Sequence, residues 1–268
     1  MNSAIAGKNY IVTGASRGIG AAAATALVKR GARVAAFGRD AAALARIAEK
    51  NGAALRPVKV DVADRAELIA AIEDTVAAMG GLDGLINNAG TCLASPLEKV
   101  DPDEVMTQIQ VNFLAAVYAC QAAIPHLRRR GGGRILNVTS ASARHMSEFS
   151  HIGIYSSTKA ALERYTDELR QEVMIDNIGV TAFSPGGTET AFGSGWRPEM
   201  AQGAFAAWIE EASSFEGGMT AETVGEAIAN CLELPLGVAF HLVELRPCHR
   251  ESRAEYAASL YAKRRDNP

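Results

Sequence analysis

The stretch from Asn9 to Arg30, NYIVTGASRGIGAAAATALVKR, predicts a strand, a glycine-rich loop and a helix in direct succession. The apolar run Tyr10–Val12 suits a strand buried on both faces, and the alanine-rich run Ala21–Lys29 favours a helix. Glycines between them let backbone approach backbone or a ligand, and the helix N-terminus behind them favours a phosphate. The alternative is a glycine-rich turn that binds nothing. The loop contains three glycines in the spacing G-x-x-x-G-x-G: Gly14, Gly18 and Gly20.

Size and composition exclude several classes of protein. The chain has 268 residues, of which 48% are hydrophobic, so it can bury a large core in one domain. Its formal charge is −3 and it has no long basic run, so we expect no nucleic-acid partner. Four scattered cysteines lack metal-ligand spacing, which predicts no metal site and suits reduced thiols. No secretory leader pattern and no apolar run of roughly 18 residues is present, so we expect a cytoplasmic protein without a membrane partner.

Strand-like and helix-like segments alternate along the chain, and this order predicts a parallel sheet covered by helices. We expect Asp40 and Asp101 to cap two of the helices. The fold class is therefore α/β, a doubly wound parallel sheet whose ligands bind at the carboxyl ends of its strands. After the first strand, the predicted strands are 33–37, 58–60, 82–86, 134–138, 180–183 and 241–245. After the first helix, the predicted helices are 41–50, 65–79, 103–127, 155–174, 221–232 and a polar tail at 250–265.

The end of the second strand bears on the choice of cofactor. Dinucleotide sites that take NAD(H) usually place a carboxylate there for the ribose 2′-hydroxyl, but this chain has Gly38 followed by Arg39. With Arg17 in the glycine loop, two guanidiniums suit a 2′-phosphate, so NADP(H) is favoured over NAD(H), unless both are ordinary surface arginines. Asp61, followed by Val62, ends the third strand and either accepts from the adenine amino group or caps the next helix.

Tyr155 and Lys159 lie four residues apart, one turn along one face of a predicted helix. A free phenol has a pKa of about 10 and is a poor proton shuttle at neutral pH. A nearby ammonium favours the phenolate and lowers that pKa. The spacing therefore predicts a general acid for a carbonyl oxygen, or a base in the reverse reaction, at the carboxyl edge of a dinucleotide-binding sheet.

Four motifs in this order resemble the short-chain dehydrogenase/reductase family. They are TGASRGIG at 13–20, NNAG at 87–90, YSSTK at 155–159, and PG at 185–186 with Thr188 and Thr190. The resemblance implies a Rossmann-type fold of about seven strands in a single domain of residues 1–268. It divides the chain into a cofactor-binding half at 1–140, an active site at 140–190 and a substrate lid at 191–219.

The resemblance also implies roles for individual residues. Tyr155 would donate or accept the proton, Lys159 would lower its pKa and bind the nicotinamide ribose, and Asn112 would hold a water in the proton relay. Together with the residues discussed above, the cofactor contacts would be Gly14, Ser16, Arg17, Gly18, Ile19, Gly20, Arg39, Asp61, Val62, Asn88, Ala89, Gly90, Tyr155, Lys159, Pro185, Gly186, Thr188 and Thr190.

The serine that would orient the substrate carbonyl has two candidates. Ser140 directly follows the fifth strand, whereas the usual separation from the tyrosine would select Ser142, since 155 − 142 = 13 and 155 − 140 = 15. We expect Ser140, with two extra residues in the loop that follows it. The glycine often found soon after this serine is missing, and Arg144 stands near its place.

The predicted lid suggests a substrate with a hydrophobic part, unless its aromatic residues only pack against the body or another subunit. Four basic residues nearby could meet a substrate carboxylate or be solvated: Arg144, His145, His151 and Arg197. The large apolar residues of the lid are Phe192, Trp196, Met200, Phe205, Trp208, Phe215 and Met219.

These observations predict an NADP(H)-dependent oxidoreductase that interconverts a carbonyl and a secondary alcohol, a ketoreductase of the class EC 1.1.1.-. Its partners would be a small carbonyl or alcohol substrate and further copies of itself. A homotetramer or homodimer is implied by resemblance, through a helix face with Ile109, Phe113 and Val117. The alternatives are an epimerase or dehydratase on the same scaffold, or a non-catalytic NADP(H)-sensing or scaffold protein.

Overall fold

The computed structural model describes residues 3–145, 150–190, 193, 195–211 and 217–248, with only the backbone at 209–211. Within these residues seven parallel strands form one sheet in the order β3-β2-β1-β4-β5-β6-β9, and β7 pairs with β8 in a small parallel sheet. The strands are β1 (Asn9–Val12), β2 (Arg33–Gly38), β3 (Leu55–Lys59), β4 (Gly84–Asn87), β5 (Gly133–Val138), β6 (Ile178–Pro185), β7 (Thr188–Glu189), β8 (Met219–Thr220) and β9 (Leu242–Leu245).

Helices cover both faces of the sheet, as a doubly wound fold requires. They are α1 (Gly18–Lys29), α2 (Ala41–Asn51), α3 (Arg65–Met79), α4 (Pro102–Ile109), α5 (Ala115–Arg129), α6 (Gly153–Val173), α7 (Pro198–Glu211) and α8 (Ala221–Cys231). Strand β1 supplies both cores: Tyr10 and Val12 pack among residues of α1, α2 and α8, whereas Ile11 packs among residues of α3, α5 and α6. The predicted α/β fold, its Rossmann-type winding and its doubly buried first strand are thus confirmed. None of the helices in the described residues is long and apolar enough to cross a membrane.

The order of the sheet places the glycine-rich loop at its switch point. Strand β1 pairs with β2 on one side and with β4 on the other, so the chain winds away from β1 in both directions. The loop between β1 and α1 therefore opens into the crevice where ligands of such sheets bind. All six pairings in the large sheet are parallel, so the carboxyl ends of β1, β4, β5 and β6 share this edge.

Several predicted segments have different boundaries in the structure, among them the third strand and the helix predicted at 103–127. Strand β3 begins at Leu55 rather than at residue 58 and tolerates Pro57, because it lies at the sheet edge. The predicted helix 103–127 is interrupted by a π-helical turn at Gln110–Leu114, which separates α4 from α5. The sequence did not predict the short strands β7 and β8, since a strand of two residues is too short to show an alternation of apolar and polar residues. The predicted polar helix at 250–265 lies outside the described residues.

The helix caps settle one open interpretation. Asp40 accepts from the Ala43 amide at 2.9 Å and Asp101 from the Asp103 amide at 2.8 Å, as predicted. Helix α3, however, is capped by Asp64, whose carboxylate accepts from two first-turn amides. Asp61 instead accepts from the Ala63 amide at 3.0 Å, in the turn before that cap. The interpretation of Asp61 as the helix cap was wrong, and its contact with an adenine stays a prediction.

Candidate active site

The glycines of the first loop allow this loop to pack closely against the residues that follow β4. Gly14 has a φ of +65°, and a Cβ on it would lie 2.8 Å from the Ala89 Cα. A Cβ on Gly20 would collide with the Asn88 amide and the Gly14 carbonyl. The Asn88 side chain donates to the Thr13 carbonyl at 3.0 Å and to the Gly14 carbonyl at 3.3 Å. Two of the three glycines are therefore required by backbone packing, which brings the loop and the NNAG segment together.

The third glycine, Gly18, brings the loop close to the segment after β6. It has a φ of +56°, and a Cβ on it would lie 3.3 Å from the Thr190 Cγ2. The segment itself is attached to β9 and has a hydrogen bond within its own turn. The Gly186 amide donates to the Leu245 carbonyl of β9 at 2.8 Å, and the Thr188 hydroxyl donates to the Gly186 carbonyl at 3.0 Å. Residues predicted to contact opposite ends of one dinucleotide thus border the same crevice.

The two arginines predicted to meet a 2′-phosphate lie at one corner of this crevice. A Cβ on Gly38 would lie 3.2 Å from the Ser16 Cβ, so the end of β2 packs directly against the glycine loop. Arg17 and Arg39 follow these two residues, and both are exposed. Neither guanidinium has an ion-pair partner in the part of the chain that the structure describes. Both cations are therefore available to an anion from solution.

Lys159 ties α6 to the end of strand β5. Its ammonium is buried, donates to the Val138 carbonyl at 2.8 Å and lies 5.9 Å from the centroid of the Tyr155 ring. Helix α6 is long enough to hold both side chains on one buried face, as their spacing predicted. Burial removes hydration from the ammonium and lowers the pKa of Lys159 to about 8.

Tyr155 departs from the expectation drawn from its spacing to Lys159. The phenol is buried, and this burial raises the pKa of Tyr155 well above its usual value. A hydrogen bond with the Ser140 side chain lowers the pKa, while the nearby Cys92 thiol raises it further. The expected net lowering by Lys159 is therefore not what the chain's own groups produce, because loss of hydration outweighs the other effects. The phenol is held as the neutral acid at neutral pH.

The turn after β5 brings Ser140 to Tyr155. Ser140 has extended backbone and caps a short 3-10 turn, Ala141–Ala143, by accepting from the Ser142 amide at 3.2 Å. The hydroxyls of Ser140 and Ser142 lie 3.0 Å apart. Since Ser140 is hydrogen-bonded to the Tyr155 phenol, it lies at the reacting oxygen, and Ser142 is its neighbour in the same turn.

Asn112 lies in the π-helical turn and is fully buried. Its side-chain oxygen accepts from the Thr91 amide at 2.7 Å, and its side-chain nitrogen donates to the Thr91 carbonyl at 2.8 Å and to the Thr158 hydroxyl at 3.0 Å. The amide thus fixes the segment after the NNAG motif to the helix of Tyr155. Both of its N–H groups are used within the chain, and a role in holding a water stays a prediction.

The aromatic residues of the lid pack together beside Tyr155. The rings of Trp196, Phe205 and Trp208 lie with their centroids 5.4 to 5.9 Å apart, in one apolar cluster that includes Tyr155. Their indoles donate to the Cys92 and Ser150 carbonyls, each at 2.8 Å. The packing interpretation is therefore right for these three rings, which form an aromatic wall in the same apolar cluster as Tyr155. Met200 is half-buried, Met219 belongs to another core cluster, and Phe192 and Phe215 lie outside the described residues.

The four basic residues considered for a substrate carboxylate already have partners within the chain. Arg144 pairs with Glu163 at 2.9 Å, His145 with Glu244 at 2.8 Å and Arg197 with Glu104 at 3.1 Å. His151, with a φ of +66°, contacts the Ser150 hydroxyl at 2.9 Å. The sequence did not predict the three carboxylate partners, because they are distant along the chain. Only the position of Glu163 could have been inferred from the sequence, because it follows Lys159 by one helical turn and therefore lies on the same face of α6.

These features define a dinucleotide-binding α/β protein with a Tyr–Lys–Ser group at the carboxyl edge of its sheet. The family model described as short chain dehydrogenase matches residues 8–201. The chain belongs to this family of oxidoreductases, as its motifs predicted.

Individual relatives agree with this assignment. The chain is 31% identical over 241 residues to an uncharacterized oxidoreductase of Staphylococcus aureus (strain MW2), covering 90% of this chain and 97% of the relative. It resembles an alcohol dehydrogenase from the archaeon Thermococcus sibiricus, solved with 5-hydroxy-NADP, with a TM-score of 0.78. It also resembles a 3-ketoacyl-(acyl-carrier-protein) reductase from Brucella melitensis, solved with NADH, with a TM-score of 0.77. Each of the two structures is 26% identical to this chain and covers 91% of it and 98% of its own length.

The low pKa of Lys159 predicts a specific dependence of stability on pH. Between pH 8 and 10.5 the unfolded chain binds a proton at this lysine more readily than the folded chain, so wild-type stability gains as pH rises through this window. Relative to Lys159→Met, wild-type protein should gain on the order of 3 kcal/mol in unfolding free energy from pH 7 to 10.5. Urea unfolding at several pH values measures this difference. The exposed Lys99→Met variant is the control, and a difference that stays constant with pH would contradict the prediction.

Proposed function

We propose that this protein is an NADP(H)-dependent ketoreductase that interconverts a carbonyl and a secondary alcohol. The observation that carries the proposal is the meeting of Ser140, Tyr155 and Lys159 where β5 and α6 adjoin the glycine-rich crevice. The residues bordering that crevice suit a nicotinamide dinucleotide, since they offer a helix N-terminus for phosphate at one end and polar backbone groups at the other.

The chain would hold the cofactor along the whole edge. The glycine loop with Ser16 and Ile19 would bind the pyrophosphate, Asp61 and Val62 the adenine, and Lys159 the nicotinamide ribose. Asn88, Ala89 and Gly90 would border its middle, and the segment from Pro185 to Thr190 the carboxamide. When bound, the cofactor supplies or accepts the hydride. Two features support NADP(H) over NAD(H). Arg17 and Arg39 are available to a 2′-phosphate, and no carboxylate directly follows β2.

The chain's own groups move the proton. Ser140 would donate to the substrate carbonyl oxygen, and Tyr155 would protonate that oxygen as charge develops on it. The phenol is protonated before the reaction, as an acid in the reductive direction requires, but burial by itself raises its pKa and makes it a weaker acid. The Lys159 ammonium, one helical turn away, stabilises the phenolate that remains. In the oxidative direction the same phenolate would serve as the base.

The aromatic wall beside Tyr155 supports a substrate with a hydrophobic part next to its carbonyl. An epimerase, a dehydratase or a non-catalytic sensor remains an alternative, but a sensor would not need the Ser140–Tyr155–Lys159 group. The proposed assembly into a homotetramer or homodimer would use the helix face with Ile109, Phe113 and Val117, each of which is partly exposed in the single chain.

Replacing the phenol tests the proposed chemistry directly. Tyr155→Phe should bind NADPH with unchanged affinity but lose turnover by about 10³-fold, because it removes the acid without changing the crevice. NADPH binding is measured by nucleotide fluorescence and turnover by loss of reduced-nicotinamide absorbance with a hydrophobic ketone. The control is Tyr118→Phe on α5. Turnover by Tyr155→Phe at the wild-type rate would rule out the assigned mechanism.

Removing one corner guanidinium tests the choice of cofactor. Arg39→Ala should raise the Kd for NADPH at least tenfold and leave the Kd for NADH within twofold, since charge-assisted hydrogen bonds to a phosphate are each worth about 1.5–3 kcal/mol. Titration of both nucleotides gives the two constants. Arg46→Ala, an exposed arginine on α2, is the matched control. Equal weakening of both nucleotides would show that Arg39 does not contact the 2′-phosphate.

A further inference from the structure

An ion pair joins the turn of Ser140 to the helix of Tyr155. The Nε–H of Arg144 donates to both carboxylate oxygens of Glu163, each at 2.9 Å. Arg144 ends the 3-10 turn that Ser140 caps, and Glu163 lies on the buried face of α6. The pair spans 19 residues of sequence and closes the β5–α6 connection on itself.

The pair lies in line with the reacting groups. Tyr155, Lys159 and Glu163 follow one another at intervals of four residues, so they occupy successive turns on one face of α6. On the other side of the connection, Arg144 follows Ser140 by four residues. The position of the Ser140 hydroxyl relative to the Tyr155 phenol therefore depends on how the turn is held against this helix.

Glu163 is the buried partner of this ion pair, whereas the Arg144 side chain is 42% exposed. The Glu163 side chain is only 11% exposed, and a carboxylate so far from water requires a charged or hydrogen-bonding partner. The next ion pair on the same helix, Arg164–Glu168, differs in this respect because its side chains are 76% and 57% exposed. Pairs of that kind contribute little to structure, whereas loss of the partner of a buried charge forces the surroundings to move.

A second contact holds the adjacent residue. His145 pairs with Glu244 of β9 at 2.8 Å, so the turn is attached to the sheet edge as well as to α6. Of these two contacts, the Arg144 contact is the one that reaches the helix that carries the acid. It therefore holds the turn against α6, in addition to the Lys159–Val138 hydrogen bond that holds the end of β5 to the same helix.

We propose that Arg144 is a positioning residue that, through Glu163, holds the Ser140 hydroxyl in reach of the Tyr155 phenol and the substrate carbonyl. The inference rests on the proposed function, because it assigns Arg144 to the same reaction. It also assigns a role to Arg144, which stands near the place of a glycine that is common in the family. Arg144 itself touches neither the substrate nor the cofactor in this assignment.

The consequence is a defect confined to the chemical step. Arg144→Ala should lower kcat about tenfold or more, because small displacements of an orienting group are costly. The KM for NADPH should stay within twofold, since the crevice is unchanged. Arg144→Lys, which keeps a cation that can reach Glu163, should recover a large part of the lost kcat. The matched control Arg164→Ala, on the same helix, should behave as wild type.

Dependence on Ser140 separates positioning from general damage. If Arg144 acts by placing Ser140, then Arg144→Ala should lower kcat less than twofold when introduced into Ser140→Ala protein. The variant Arg144→Ala/Glu163→Gln removes both charges and should stay as slow as Arg144→Ala, because the tether is still lost. Thermal unfolding of each variant shows whether it is folded at the assay temperature.

The outcomes are distinguishable. An Arg144→Ala variant with the kcat of Arg164→Ala would overturn the inference and leave the proposed function intact. An equal loss of kcat in the wild-type and Ser140→Ala backgrounds would also overturn it, since Arg144 would then act independently of Ser140. Recovery of kcat in Arg144→Ala/Glu163→Gln would also overturn the inference, because it would show that the unpaired charge of Glu163, and not the lost tether, slows Arg144→Ala. Absence of NADPH-dependent turnover in wild-type protein would overturn the proposed function and this inference together.

Discussion

The attachment of Lys159 to the end of strand β5 is the contact on which the site depends. Its buried ammonium donates to the Val138 carbonyl and so fixes α6 against the last residue of this strand. Tyr155 lies one turn earlier on this helix, and Ser140 begins the turn two residues after Val138. This hydrogen bond, together with the one from the Asn137 side chain to the Thr166 hydroxyl at 2.9 Å, holds helix and strand in the frame in which both hydroxyls are placed. Loss of the Lys159 contact would weaken this frame and shift the Tyr155 phenol relative to Ser140.

Electrostatics in this frame are governed by removal of water. Burial makes the charged form of Lys159 less favourable and raises the pKa of Tyr155, so in the chain alone the phenol stays protonated and is a weaker acid than a phenol in water. The predicted lid contributes to this environment, because Trp196 and its aromatic neighbours belong to the same apolar cluster as Tyr155. The packing role and the substrate-facing role of these rings are therefore compatible, although the sequence suggested them as alternatives.

Local sequence was sufficient to predict the fold and much of the site. The glycine spacing, the NNAG segment and the Tyr–Lys spacing each combine unusual residue types within a few positions, so they could be assigned to strand ends before any contact was known. Contacts between distant segments could not be predicted in this way. The indole of Trp196 bonds to Cys92 across 104 residues, and Glu163 pairs with Arg144 across a turn whose path the sequence does not define. The predicted lowering of the Tyr155 pKa was wrong, because spacing reveals a neighbouring charge but not the degree of burial.

The most direct test of the account is the oxidation of reduced nicotinamide by the wild-type protein. Absorbance should be followed with NADPH and with NADH across a panel of ketones and aldehydes that range from polar to hydrophobic. The account predicts that NADPH is consumed with a hydrophobic ketone, and faster than NADH. Tight binding of NADPH without turnover on any member of the panel would contradict the catalytic assignment and favour a cofactor-sensing protein.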